Sequence, residues 1–300
     1  MAMVGDWATW SAKKPGKIKS RCRKGIPDAM RGLAWPLLTG SLKRKLQNKG
    51  LFNTLLRRPV PPKDEVLETI ERDINRTYPL HTMFADAGGV GQTSLFRVLR
   101  AYAQYDKRVG YCQGMGFIAA MFLSYVPEED AFFLLLSTMN FPPHSLTGLF
   151  SPGLPRVRVL EHQLEVLLKT RMPKLHAHFA KEGIETSMYS AQWFLSLFTY
   201  NFPFCIVVRI WDSFLAEGWK VIFRVAAAVL RIAERVSDLL KLSFEGILMY
   251  FRSLPAKLDP DVVMKTAFSF RLRGKDLDAF EAEYRALNAP SGDAITPASA

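Results

Sequence analysis

Apolar residues recur at three- and four-residue intervals through almost the whole 300-residue chain, and most runs stop at a proline or a glycine. Period-two alternation flanked by hairpin turns is nearly absent. The chain is therefore expected to be all-α. After Pro61 and Pro62, Asp64 reads as an N-cap, and Val66, Leu67, Ile70 and Ile74 share one stripe until Pro79. This predicts a helix over about 64–77. A glycine-containing loop, 86–92, leads to a second stripe at Leu95, Val98, Leu99 and Tyr102. From Met115 to Val126 the residues are apolar almost all round, which predicts a helix buried on every side, and another apolar helix follows over about 129–139. Pro142, Pro143, Gly148, Pro152, Gly153 and Pro155 then crowd together, placing a boundary between a first unit, 22–150, and a second, 151–287. In the second, one helix ends near Pro173 and another at Gly183. Helices over about 190–200, 204–216, 219–240, 243–254, 260–269 and 275–287 follow. Residues 288–300, rich in Ala, Pro, Ser and Gly, are expected to form a disordered tail.

Hydrophobic residues make up 49% of the chain, enough for a sizeable core, yet its apolar runs stop short of the ~18 residues a membrane span needs. No repeat of solenoid period occurs. Cys22, Cys112 and Cys205 lie far apart in unlike contexts and no signal-peptide pattern opens the chain, so a reducing, cytoplasmic setting is expected, with Asn75-Arg76-Thr77 free of sugar. The formal charge of +12 is concentrated at one end: residues 1–63 hold 15 Lys/Arg against 2 Asp/Glu, and the remainder is nearly balanced. The densest run, Lys13 to Lys24, is read as a basic N-terminal arm over residues 1–21 continuing into a basic first segment. It is either a solvated tail or a contact for an acidic partner or an anionic membrane. Nucleic acid would demand basic residues interleaved with aromatics, and Trp7 and Trp10 are the only such hint, so no nucleic-acid partner is expected.

Several chemistries fail on inspection. The Gly88 to Ser94 loop has Gln92 where a phosphate loop needs Lys, and no strand precedes it. His176 and His178, two apart, point to different faces of a helix and lack partners at ligand spacing, so no metal site is expected. Cys112 has no neighbouring His to activate it. Two polar residues stand in unusual places. Asp73 lies at the edge of the 64–77 stripe and Arg76 about 60° further round; at i, i+3 a carboxylate can hold a guanidinium fork in one orientation, useful if the arginine must meet a phosphate. An ordinary surface pair near a helix end fits the same spacing. Gln113, in Gly110-Tyr111-Cys112-Gln113-Gly114-Met115-Gly116, opens the most apolar helix among three glycines that permit close backbone approach. Its amide could hold a water or cap the helix.

These residues resemble the signature of the TBC domain, the family of GTPase-activating proteins for Rab GTPases. Ile70-Glu71-Arg72-Asp73-Ile74-Asn75-Arg76-Thr77-Tyr78-Pro79 resembles the family's Ile-x-x-Asp-x-x-Arg-Thr-x-Pro motif, and Tyr111-Cys112-Gln113 its Tyr-x-Gln motif. Lys24 to Trp35 resembles its opening motif, and Arg209-Ile210-Trp211-Asp212, Glu217-Gly218 and Val221 to Val225 its C-terminal half. The likeness covers about residues 22–285, and Pro79-Leu80-His81-x-Met83-Phe84 is similar to carabin-like members. It implies two all-α subdomains in a V and a part in vesicle trafficking. It also implies a dual-finger mechanism, with Arg76 stabilising charge on the transferring phosphoryl group, Gln113 positioning the attacking water and Asp73 orienting Arg76. By the same resemblance Trp35, Arg31, Thr77, Pro79 and Tyr111 belong to the GTPase-docking surface. Trp35 and Arg31, with Arg209, Trp211 and Asp212, would hold the architecture or shape that surface rather than touch phosphate. The partner would be a Rab-family GTPase in its GTP form. No cofactor of its own is implied, since GTP and magnesium belong to the GTPase. The protein would be cytoplasmic or peripheral at membranes. The alternative is a non-catalytic helical module that docks on a GTPase or a membrane.

Overall fold

The computed structural model describes residues 7–151, 153–236 and 239–289, and among them there is no strand. In chain order the α-helices are α1 (Trp7–Lys13), α2 (Pro15–Lys24), α3 (Asp28–Thr39), α4 (Ser41–Gln47), α5 (Leu51–Arg57), α6 (Glu65–Ile74), α7 (Val90–Tyr105), α8 (Met115–Leu123), α9 (Glu128–Asn140), α10 (Pro155–Arg171), α11 (Pro173–Glu182), α12 (Ser187–Leu195), α13 (Phe204–Glu217), α14 (Lys220–Val236), α15 (Phe244–Ser253), α16 (Pro260–Ser269) and α17 (Gly274–Leu287). The expected helices of the body are all present. No described helix is long and apolar enough to cross a membrane.

Local chemistry sets the boundaries. The Asp64 carboxylate accepts from the amides of Val66 and Leu67 at 3.0 and 3.1 Å, the expected cap of α6. That helix ends at Ile74 rather than 77. The Thr77 hydroxyl donates to the Asp73 carbonyl at 2.8 Å, and the chain turns as the Arg76 and Thr77 amides donate to Asp73 and Ile74. Helix α12 likewise stops at Leu195, because Leu197 and Phe198 enter the left-handed region (φ 48° and 68°) and Trp211 Nε1 donates to the Leu197 carbonyl at 3.3 Å. The helix expected over 219–240 ends at Val236, and a short 3₁₀ turn occupies Leu239–Lys241.

Helix α8 is the centre of the first half, buried everywhere except at Phe117 and packed against α6, α7 and α9. In the second half α14 packs on α16 and α10 on α17. The division at 150 is not a clean separation. Helix α13, from the second half, packs against α2 and α3 at the start of the chain. At that junction Asp212 is fully buried. It accepts from Arg31 Nε at 3.1 Å, Trp35 Nε1 at 2.8 Å and the Ile26 amide at 2.7 Å. Burial pushes its carboxyl above the ordinary value, and Arg31, the Ile26 amide and Trp35 pull it back. Beside it, Arg23 donates through Nε and Nη2 to Glu217 at 2.6 and 2.8 Å.

Three expectations change here. Trp35 (0% exposed) and Arg31 (4%) are interior residues tying the two halves together, so the docking role does not fit their burial. The arm drawn over 1–21 ends inside α2, whose Ile18 and Cys22 are buried against the body. Helices α3 to α5 occupy residues 28–57, where the apolar spacing predicts no individual helix. Of the expected tail, residues 290–300 lie outside the described residues, and α17 runs to Leu287. Asp212→Ala should cost about 3–5 kcal/mol in urea unfolding, because it takes the acceptor from the Ile26 amide, Trp35 Nε1 and Arg31 Nε at once and leaves the buried Arg31 with Asp28 as its one carboxylate among the described residues. A loss under 1 kcal/mol would show that the junction does not depend on this carboxylate.

Candidate functional site

The turn that ends α6 puts Arg76 outside the helix, with its side chain 56% exposed beside a carboxylate that is 7% exposed. Arg76 Nη2 donates to Asp73 Oδ1. The other oxygen, Asp73 Oδ2, accepts from the Tyr111 hydroxyl at 2.8 Å. Asp73 is thus held between a residue of its own turn and one from the loop before α8. Asp73 and Arg76 form the i, i+3 pair, with Tyr111 as the anchor of the carboxylate. Burial, reinforced by the charge of Asp73, pushes the Tyr111 phenol far above its ordinary value, so it stays a donor to the carboxylate. The next residue but one after Arg76, Tyr78, has φ 51°, a conformation uncommon outside glycine. Its ring is held against Phe84, Phe117 and Phe204.

Two glycines let the second segment approach. Gly116 faces this cluster so closely that an added Cβ would stand 3.0 Å from Thr77 Oγ1 and 3.3 Å from the Tyr111 hydroxyl. Gly114, at φ 105°, is the N-cap of α8. The cap position is therefore a glycine and carries no side-chain cap. The Gln113 side chain is exposed and makes no hydrogen bond among the described residues. Gln113 therefore does not cap α8. Cys112 is half-buried, and burial pushes its thiol up, which disfavours the thiolate a nucleophile requires.

Arg76 and Gln113, 37 positions apart, line one cleft of about 450 Å³. Its other walls include Phe117 from α8 and Gln192, Leu195 and Tyr200 from the second half. The cleft is where the two halves face each other, and Tyr200 is 58% exposed within it. Of the residues expected at the docking surface, Pro79 is exposed and Tyr111 is half-buried on Asp73, while Thr77 (1% exposed) serves the turn from inside. Gln192, Leu195 and Tyr200 were not read from the sequence. They lie 79 or more positions beyond Gln113 in ordinary helical spacing, and nothing local marks them.

The glycine loop and the two neighbouring histidines have structural places. Gln92 Nε2 donates to the Phe84 carbonyl and its Oε1 accepts from the Gly88 amide, both at 3.0 Å, which pins the glycine loop. His176 pairs with Glu165 at 2.7 Å, and His178 contacts the Leu242 carbonyl at 3.0 Å. Among the described residues no three His, Cys, Asp or Glu side chains are grouped to hold a metal.

A family model described as the Rab-GTPase-TBC domain matches residues 28–237. The chain is similar to Rab GTPase-activating protein tbc-11 of Caenorhabditis elegans, 39% identical over 293 residues covering 95% of this chain and 30% of that one. It is also similar to carabin of Mus musculus, 38% identical over 231 residues covering 77% of this chain and 51% of that one. The crystal structure of the Chlamydomonas flagellar RabGAP TBC domain superposes with a TM-score of 0.73 at 30% identity, covering 89% of this chain and 90% of that one. The chain spans 30–51% of the length of these curated relatives.

Proposed function

Because this chain belongs to the Rab-GTPase-TBC domain family, we propose that it accelerates GTP hydrolysis by a Rab-type small GTPase in its GTP form, supplying Arg76 and Gln113 to the partner's nucleotide site. The observation that carries this reading is that two polar side chains from separate segments line one cleft, one held by a buried carboxylate and the other without a hydrogen-bond partner among the described residues. A guanidinium fixed in orientation can stabilise charge on the phosphoryl oxygens without reorganising as the reaction proceeds. A free amide offers both an acceptor and donors to an attacking water. GTP and magnesium arrive with the GTPase and need no site on this chain. The experiment is single-turnover GTP hydrolysis across a panel of purified Rabs. At least one should be stimulated by the native protein, and stimulation of none would overturn the reading.

Asp73 acts in this scheme as a positioning residue. Asp73→Asn keeps the shape but weakens both hydrogen bonds, so stimulated hydrolysis should fall about 10-fold, far less than on loss of Arg76. If the variant instead mainly lowers the melting temperature at unchanged activity, Asp73 serves the fold alone.

We further propose that the protein works in the cytoplasm and meets anionic membranes through its basic N-terminal face, supported by the exposed Lys13, Lys14 and Lys17, of which the last two lie over the Trp10 ring at 4.8 and 5.5 Å. Changing these three lysines to Gln, rather than deleting a segment that includes buried Ile18, should weaken co-sedimentation with phosphatidylserine vesicles. Each lysine near such a surface contributes ~1 kcal/mol, so the effect should fade at high salt. Salt-independent binding would exclude the electrostatic contact.

A further inference from the structure

The second half carries another concave site that shares no residue with the cleft. Arg171 is the last residue of α10, Arg231 and Arg235 lie in the final two turns of α14, and Arg271 follows the end of α16. The four arginines, with Thr266 and Ser269, line a pocket of about 440 Å³. Three helix C-termini meet there, and their carbonyls favour nearby cations. That accounts for one arginine: Arg231 Nη2 donates to the Arg171 carbonyl at 2.6 Å, and its Nη1 pairs with Glu234 at 2.9 Å. Arg171, Arg235 and Arg271 are exposed and have no carboxylate partner among the described residues. Like charges gathered about one hollow repel, so the arrangement is poised for an anion that no described residue provides to these three arginines.

We propose that this pocket recognises a compact ligand carrying two or more phosphate groups. The planar guanidinium fork matches phosphate oxygens two at a time, and Arg171, Arg235 and Arg271 together bring three positive charges against the roughly −2 of a single phosphate group. The helix C-termini carry negative partial charge and do not themselves attract the ligand; the arginine charges do. The ligand is either a free polyphosphate or the headgroup of a phosphorylated lipid.

The test is isothermal titration of the full chain with inositol hexakisphosphate at about 150 mM salt. The comparison is between R235Q/R271Q and K43Q/K49Q, which removes equal charge from an exposed surface elsewhere. Neither pair makes an ion pair with a described residue, so both doubles should fold. R235Q/R271Q should weaken binding at least tenfold and the lysine double by less than twofold. Vesicles carrying phosphatidylinositol 4,5-bisphosphate, matched in surface charge with phosphatidylserine vesicles, separate the two sources. Preference for the former that is lost in R235Q/R271Q assigns the pocket to a lipid headgroup. Equal binding to both vesicles, with selective loss of the soluble ligand, assigns it to a free polyphosphate. No binding of either probe, or equal loss in the two double variants, overturns the proposal.

Discussion

Replacing Arg76 with alanine should reduce stimulated GTP hydrolysis by about 10³-fold or more while leaving the fold intact. A finger that stabilises the phosphoryl transition state adds ~10³ to 10⁵ in rate. The stability cost is small because the side chain is 56% exposed, and an exposed pair contributes ~0–1 kcal/mol. Asp73 retains the Tyr111 hydroxyl as a donor after the change, so its carboxylate is not left without a partner. Arg76→Lys should not restore activity, since a compact ammonium cannot span two phosphate oxygens as the planar fork does. Retention of more than about a tenth of native activity by either variant, against a responsive Rab, would remove Arg76 from the chemistry. A parallel melting curve separates that outcome from unfolding.

The second large effect concerns Gln113 and distinguishes which protein positions the water. With the native protein, a Rab whose own switch Gln is changed to Ala should still be stimulated. Gln113→Ala should abolish stimulation of both Rab forms and leave Rab binding and thermal stability nearly unchanged, because the cap of α8 is Gly114 and the Gln113 side chain is exposed with no hydrogen-bond partner among the described residues. Failure of the native protein on the Gln-deficient Rab, with full activity on the unaltered one, would return the water to the GTPase and reduce the mechanism to a single finger. A stability loss in Gln113→Ala at preserved activity would make the residue structural.

The Arg76 and Gln113 proposals rest on features that differ in how they could be read. Asp64, the α6 stripe and the i, i+3 spacing of Asp73 and Arg76 are short-range patterns, and backbone geometry translates them directly into a cap, a buried face and a hydrogen-bonded pair. The same holds for the all-apolar run of α8 and for the Pro/Gly breaks. Helices α3 to α5 are obscured because Pro36 lies inside α3, Lys43, Arg44 and Lys45 interrupt α4, and α4 and α5 are only 7 residues long, so packing rather than periodicity decides them.

Short-range pattern specifies the all-α class, most helix positions and the two motifs that carry Arg76 and Gln113, because each of these is set within a few turns of chain. Tertiary structure alone decided that Tyr111 anchors Asp73, that Tyr200 and Gln192 wall the cleft, and that Trp35 and Arg31 are buried on Asp212 instead of facing a partner. It also gathered the arginines of three helix ends into one hollow. Such pairings join residues from 38 to more than 170 positions apart. Which of them form depends on how helices pack against one another, and that packing is fixed by the joint fit of all the core side chains, a quantity no local window contains.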